Sequence, residues 1–125
     1  MSYTIDRDAR LIRMSGNGLL TDDEMLQCVT ALRADPALEP DLQTLSDMRD
    51  IEVGFTAAGV MRMVEVLRKT DTRREAVKVA IVTSSDAAFG MGRVFEGWSD
   101  TQVESQFRVF RDMDEANQWL ASGND

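Results

Sequence analysis

Residues 78–120 constrain this chain most. An uninterrupted apolar run, Val79-Ala80-Ile81-Val82, ends in the polar group Thr83-Ser84-Ser85-Asp86. A segment with helical spacing follows: Ala87, Met91, Val94, Phe95 and Trp98 share a stripe. A second short apolar run, residues 107–110, precedes a closing helix opened by the capping pair Asp112 and Glu115 and carrying Met113, Ala116, Trp119 and Leu120. Strand, helix, strand, helix in this order specifies an α/β architecture. Residues 77–83 lack polar–apolar alternation, the pattern of a central parallel strand buried on both faces.

The upstream segments extend the same plan. Tyr3 and Ile5 alternate with polar neighbours, and residues 11–15 place Ile12 and Met14 on one face, so a hairpin is expected there, ending at Gly16-Asn17-Gly18. Thr21 with Glu24 three residues later is a capping box, and Met25, Cys28, Val29 and Leu32 form the stripe of the helix it opens. Asp35-Pro36 stops that helix, and a loop bounded by Pro40 follows. Residues 43–48 form a third strand. Thr56 caps a second helix with Val60, Met63, Val64 and Leu67 inward, and residues 69–75 are a charged connection. Residues 97–106 read as a polar loop. The expected order is β-β-α-β-α-β-α-β-α: a mixed, mostly parallel five-stranded sheet with four helices, antiparallel only at the N-terminal hairpin. Residues 1–125 then form one domain, with 121–125 fraying.

Composition narrows function mainly by exclusion. The chain has no histidine and one cysteine, Cys28. A Ser-His-Asp or Cys-His centre is therefore impossible, and no metal site and no cofactor are expected. Cys28 lies on a buried stripe, where a thiol is inert. A net charge of −8 repels phosphate backbones, so nucleic acid is not an expected partner. No long uncharged apolar stretch offers a membrane span. The charged first ten residues lack a secretory core, and a cytoplasmic location is expected.

Three segments carry a family resemblance: Leu45-Ser46-Asp47-Met48-Arg49, Val79-Ala80-Ile81-Val82, and Val109-Phe110-Arg111-Asp112 through Glu115-Ala116 to Trp119-Leu120. In this order, from Tyr3 to Leu120, the chain resembles the SpoIIAA-like family, a branch of the STAS fold related in shape to lipid-binding SEC14-type domains. The resemblance implies a single STAS-like domain, non-enzymatic, that works by binding. The leading expectation is a regulatory module with a protein partner or a second copy of itself. The alternative is a carrier or sensor of a small hydrophobic, lipid-like ligand. An enzyme using Asp47, Arg49 and Ser84-Ser85 stands third. Classical anti-sigma-factor antagonists carry a phosphorylated serine in Asp-Ser-Ser-Gly. At the corresponding place stands Phe55-Thr56-Ala57-Ala58-Gly59. Gly59 matches, alanine replaces the acceptor, and Thr56 keeps a hydroxyl that either caps a helix or accepts phosphate.

The candidate site residues fall in two groups. Ligands of open α/β sheets bind beyond the carboxyl ends of the strands. Asp47, Arg49, the turn Gly54-Phe55-Thr56, Ser84, Ser85 and Arg111 gather near that edge, with Arg93 a further candidate, although capping uses the same residue types and Asp47 can simply pair with Arg49 or Arg93. Methionine fills irregular space. Met63 and Met91, together with Met61 and with Phe89, Phe95 and Trp98, are placed to line an apolar pocket between the second and third helices, or simply to fill a core. Gly90-x-Gly92 lies inside a helix and lacks a third glycine, so close helix–sheet packing explains it better than dinucleotide binding.

Overall fold

Among the described residues, nine elements form in the expected order. They are β1 (Ser2–Asp6), β2 (Leu11–Thr21), α1 (Asp22–Ala34), β3 (Gln43–Gly54), α2 (Ala57–Thr70), β4 (Lys78–Val82), α3 (Asp86–Ser99), β5 (Gln106–Phe110) and α4 (Met113–Ala121). The computed structural model describes residues 1–70, 77–100 and 105–122. The expected charged connection beyond Thr70, most of the loop before β5 and the last three residues of the tail lie outside them.

The strands lie side by side in chain order, β1-β2-β3-β4-β5. β1 runs antiparallel to β2, and every other neighbouring pair is parallel. Each crossover between parallel strands steps one strand further in the same direction, and such connections are right-handed as a rule. Three such crossovers stack α1, α2 and α3 on one face, and α4, following β5, returns across the other. Two cores result. One joins Ile12, Met14, Met48 and Ile51 to the inward stripes of α1, α2 and α3. The second packs Leu45, Ala80, Val82 and Phe110 against Ala116 and Leu120 of α4.

The helix ends follow the sequence closely. The Thr21 hydroxyl accepts from the Glu24 N–H at 3.3 Å, and the Ser85 hydroxyl accepts from Ala88 at 3.1 Å. Asp112 accepts from the Asp114 N–H at 2.7 Å. α4 extends to Ala121, and the Ser122 N–H caps the helix by donating to Gln118 and Trp119 carbonyls. Lys78, 3% exposed, reinforces this end: its ammonium donates to the Trp119 carbonyl and to the carbonyl and hydroxyl of Ser122, all within 2.9 Å.

Several boundaries differ from the sequence expectation. β2 does not end at Gly16-Asn17-Gly18. It continues to Thr21, and β3 continues past Met48 to Gly54, because each supplies the other's hydrogen-bond ladder over this stretch. Gly18 tolerates the path with φ at +69°. The register shifts here: Ser15 pairs with Asp47 but Asn17 with Asp50, so β3 carries one extra residue. That bulge is why Met48 and Ile51, three apart, both reach the helix-side core. α3 also takes residues 97–99 from the expected loop and closes with Asp100 N–H bonded to Glu96.

β4 departs from the expected burial. Ala80 and Val82 are buried against α4, while Val79 and Ile81, on the helix side of this central strand, are only half-buried. Helices α2 and α3 do not close completely over β4.

Candidate functional site

The incomplete closure leaves an apolar cavity of about 130 Å³ between the three-helix layer and the sheet. Strand alternation assigns its floor: Ile12 and Met14 from β2, Thr44, Ser46 and Met48 from β3, and Val79 and Ile81 from β4, continued by Thr83. The helices supply the roof. Met25, Val29 and Leu32 come from α1, Val60, Met63 and Leu67 from α2, and Ala88, Met91 and Phe95 from α3. Phe55 from the turn before α2 and Phe107 from β5 close the sides. Phe95 and Phe107 meet edge to face with centroids 4.7 Å apart.

Four expected ligand-site residues therefore meet on one wall: Phe55, Met63, Met91 and Phe95. Trp98 packs against the same core but off the wall. Phe89 is half-buried beneath the Arg111 guanidinium, 4.2 Å from its ring centroid. Met61 stands on the outer side of α2, 56% exposed.

The polar candidates lie off the wall, each engaged locally. Arg49 grips the Asp47 carboxylate with Nε at 2.8 Å and Nη2 at 2.9 Å. This pairing holds the Asp47 carboxyl below its ordinary range, with lesser help from the Arg49 backbone N–H and charge. Asp47 alternates with Ser46 and Met48, which puts it on the sheet face away from the cavity. The Ser84 hydroxyl donates to the Arg49 carbonyl at 2.5 Å. Ser85 is the cap of α3, and Arg93 pairs with Glu96 one turn on, at 3.9 Å.

Thr56 and Asp22 form a closed unit. The Thr56 backbone N–H and hydroxyl donate to the two Asp22 carboxylate oxygens at 2.7 and 2.8 Å, and the hydroxyl accepts from Gly59 at 3.0 Å. These bonds hold the Asp22 carboxyl below its ordinary range. A Cβ on Gly59 would stand 2.0 Å from Asp22 Oδ1, so glycine is what lets α2 begin against that carboxylate. Gly92 has a comparable role. Its added Cβ would meet Val109 Cγ2 at 2.7 Å, which permits α3 to approach β5, whereas Gly90 faces open space.

Thr44, Ser46 and Thr83 were not among the sequence candidates. All three are buried, and all three line the cavity. The Thr83 N–H bonds the Phe110 carbonyl, but its hydroxyl has no hydrogen-bond partner among the described residues. The sequence did hold a signal, since Thr83 ends a run read as buried on both faces. Among the described residues, no group of three or more acidic or cysteine side chains is arranged to hold a metal ion, and no helix is long and apolar enough to cross a membrane. Burial pushes the Cys28 thiol up.

A family model for SpoIIAA-like proteins matches residues 11–121. The chain belongs to the SpoIIAA-like family. Among solved structures, a SpoIIAA-like neighbour is an uncharacterized protein of the DUF3478 family from Shewanella loihica PV-4, described as having a SpoIIAA-like fold. It superposes with a TM-score of 0.58 at 18% identity, over 89% of this chain and 84% of that one, which supports the shared fold alone. No curated protein matches this SpoIIAA-like chain.

Proposed function

We propose that this SpoIIAA-like domain binds a small, mostly apolar molecule in the cavity between its helices and sheet, as a carrier or sensor. The observation that carries the reading is the cavity itself. Interiors are close-packed, and a void of this size under the centre of a sheet forfeits contacts that folding would otherwise make. The wall offers methionines, aliphatic residues and three phenylalanines, a lining that adapts to an apolar guest. Binding without turnover is the simpler use of such a wall, whose polar side chains are three hydroxyls and Arg33.

A regulatory role fits the same geometry through α2. Val60, Met63 and Leu67 of this helix line the cavity, while Met61 stands exposed on its outer side. A helix touching both a guest and solvent is suited to report occupancy to a protein partner. Thr56 keeps its capping role in this reading. A phosphoryl group there would remove the donor that Asp22 accepts and set a dianion against its carboxylate.

Native mass spectrometry of the purified protein, followed by the same sample denatured, tests the proposal. A mass excess that disappears on denaturing, and that is absent from Met63→Trp, is the expected result. A bare polypeptide mass in the native spectrum, with no uptake from a lipid and metabolite extract, would overturn it.

A further inference from the structure

The occupant's chemistry follows from the polar groups on the wall, given the reading of the cavity as a ligand site. We infer that the cavity takes a neutral molecule whose buried part is about the size of a benzene ring and which carries one oxygen function, an alcohol, phenol or carbonyl, held by the Thr83 hydroxyl.

Size comes first. An apolar cavity of about 150 Å³ accommodates a benzene ring, and this one is about 130 Å³. Polarity comes next. Thr83 is 2% exposed, and its hydroxyl has no hydrogen-bond partner among the described residues. Buried hydroxyls are ordinarily bonded, because leaving one bare loses its hydration without replacement. Valine has the same shape and would carry no such penalty. The backbone does not explain the threonine either, since its N–H is already bonded to Phe110. A threonine hydroxyl both donates and accepts, so it serves an alcohol or a carbonyl equally.

Thr44 and Ser46 stand on the same face of β3, paired in register with Val79 and Ile81 of β4. They extend the polar strip of Thr83 across two neighbouring strands. Charge is the last consideration. Arg33, near the end of α1, is the charged side chain on the wall, and it already has an interaction partner. The buried Lys78 faces α4 on the other side of the sheet. An ionised ligand would lose its hydration here without a free counter-charge.

The test titrates toluene, benzyl alcohol and benzoate into ligand-stripped wild type, Thr83→Val and Thr83→Ser at pH 7, read by chemical-shift perturbation. Toluene and benzyl alcohol are expected to bind wild type, and benzoate at least tenfold more weakly than the alcohol. The affinity ratio of benzyl alcohol to toluene is expected to fall about tenfold in Thr83→Val, the loss of roughly one good hydrogen bond. Toluene affinity should stay within about twofold, and Thr83→Ser should keep the wild-type ratio. A ratio unmoved by Thr83→Val, with toluene still bound, would overturn the hydroxyl anchor and leave the cavity reading standing. Benzoate binding as tightly as benzyl alcohol would overturn the requirement for neutrality. If none of the three probes perturbs wild type, the cavity reading itself falls.

Discussion

Filling the cavity from the protein side should stabilise the empty protein. At about 24 cal/mol per Å³ of unfilled volume, an enclosed void of about 130 Å³ costs about 3 kcal/mol, an upper bound for this partly open cavity. Met63 reaches the void from α2 and is only half-buried, so a larger side chain has room to turn inward. An indole in place of the thioether would occupy about half the space, and Met63→Trp should therefore add about 1.5 kcal/mol. For a domain of this length that is a rise in Tm of about 6 °C. The assay is urea denaturation of ligand-stripped protein followed by far-ultraviolet circular dichroism, with the slope unchanged and the midpoint raised. The same variant should lose the stabilisation that a saturating guest gives wild type, about 2.7 kcal/mol at a hundredfold excess over Kd. A loss of about 1 kcal/mol or more in Met63→Trp would be the signature of overpacking. It would mean that the wall is already close-packed in solution, and the reasoning from the void would be refuted.

Three further outcomes are expected. Lys78→Met should destabilise by about 2–3 kcal/mol in a urea melt, because the end of α4 loses three ammonium hydrogen bonds to β4. The glycines of α3 should separate by sign. Gly92→Ala drives a Cβ to 2.7 Å from Val109 and should cost about 1–3 kcal/mol, whereas Gly90→Ala, with open space around it, should gain about 0.5–1 kcal/mol in the same melts. The pH dependence should be one-sided. Asp22 and Asp35 have carboxyls held low, first by bonds from Thr56 and Tyr3 respectively. Their contribution is complete above the ordinary carboxylate value of 3.8 and is lost as pH falls through the lower folded values. No histidine titrates in between, so stability should be level from about pH 5 to 8 and fall below about pH 4. Asp22→Asn should flatten that acid limb in circular-dichroism titrations.

The helices were legible because their signals are local. Thr21, Thr56, Ser85 and Asp112 each have the residue type of a cap; the first three accept a bond from the N–H three residues on, and Asp112 accepts one from Asp114, two residues on, instead of from its expected partner Glu115. The strands were less so where stability comes from a partner. Gly16-Asn17-Gly18 has the composition of a turn, yet β3 lies alongside and holds it extended, a long-range pairing invisible in the local sequence. The apolar side of the site was visible as a helical stripe, which is how Met63, Met91 and Phe95 could be named. The stripe could not say whether its residues touch one another or face a gap, because helical spacing is identical in both cases. Asp47 and Arg49 drew attention as charges near a strand end, and the fold joins them to each other. Thr83 was hidden by its neighbours, since a polar residue closing an apolar run looks like the start of a loop.

The strand order carries a consequence for how the molecule comes together. Every strand lies next to the one made immediately before it. A chain emerging from its N-terminus always finds the acceptor edge already built, and no strand need wait for a later one to be inserted between its neighbours. Assembly on the helix side can proceed as layered addition, one crossover at a time, with α3 the last helix laid over that face. The chamber acquires its roof only at that step, and α4 then fastens the opposite side through Lys78. A guest present during synthesis would meet an open trough, and one arriving afterwards a covered one. If the cavity takes a guest as proposed, loading of the nascent chain and loading of the finished protein would be two separate routes to the same complex.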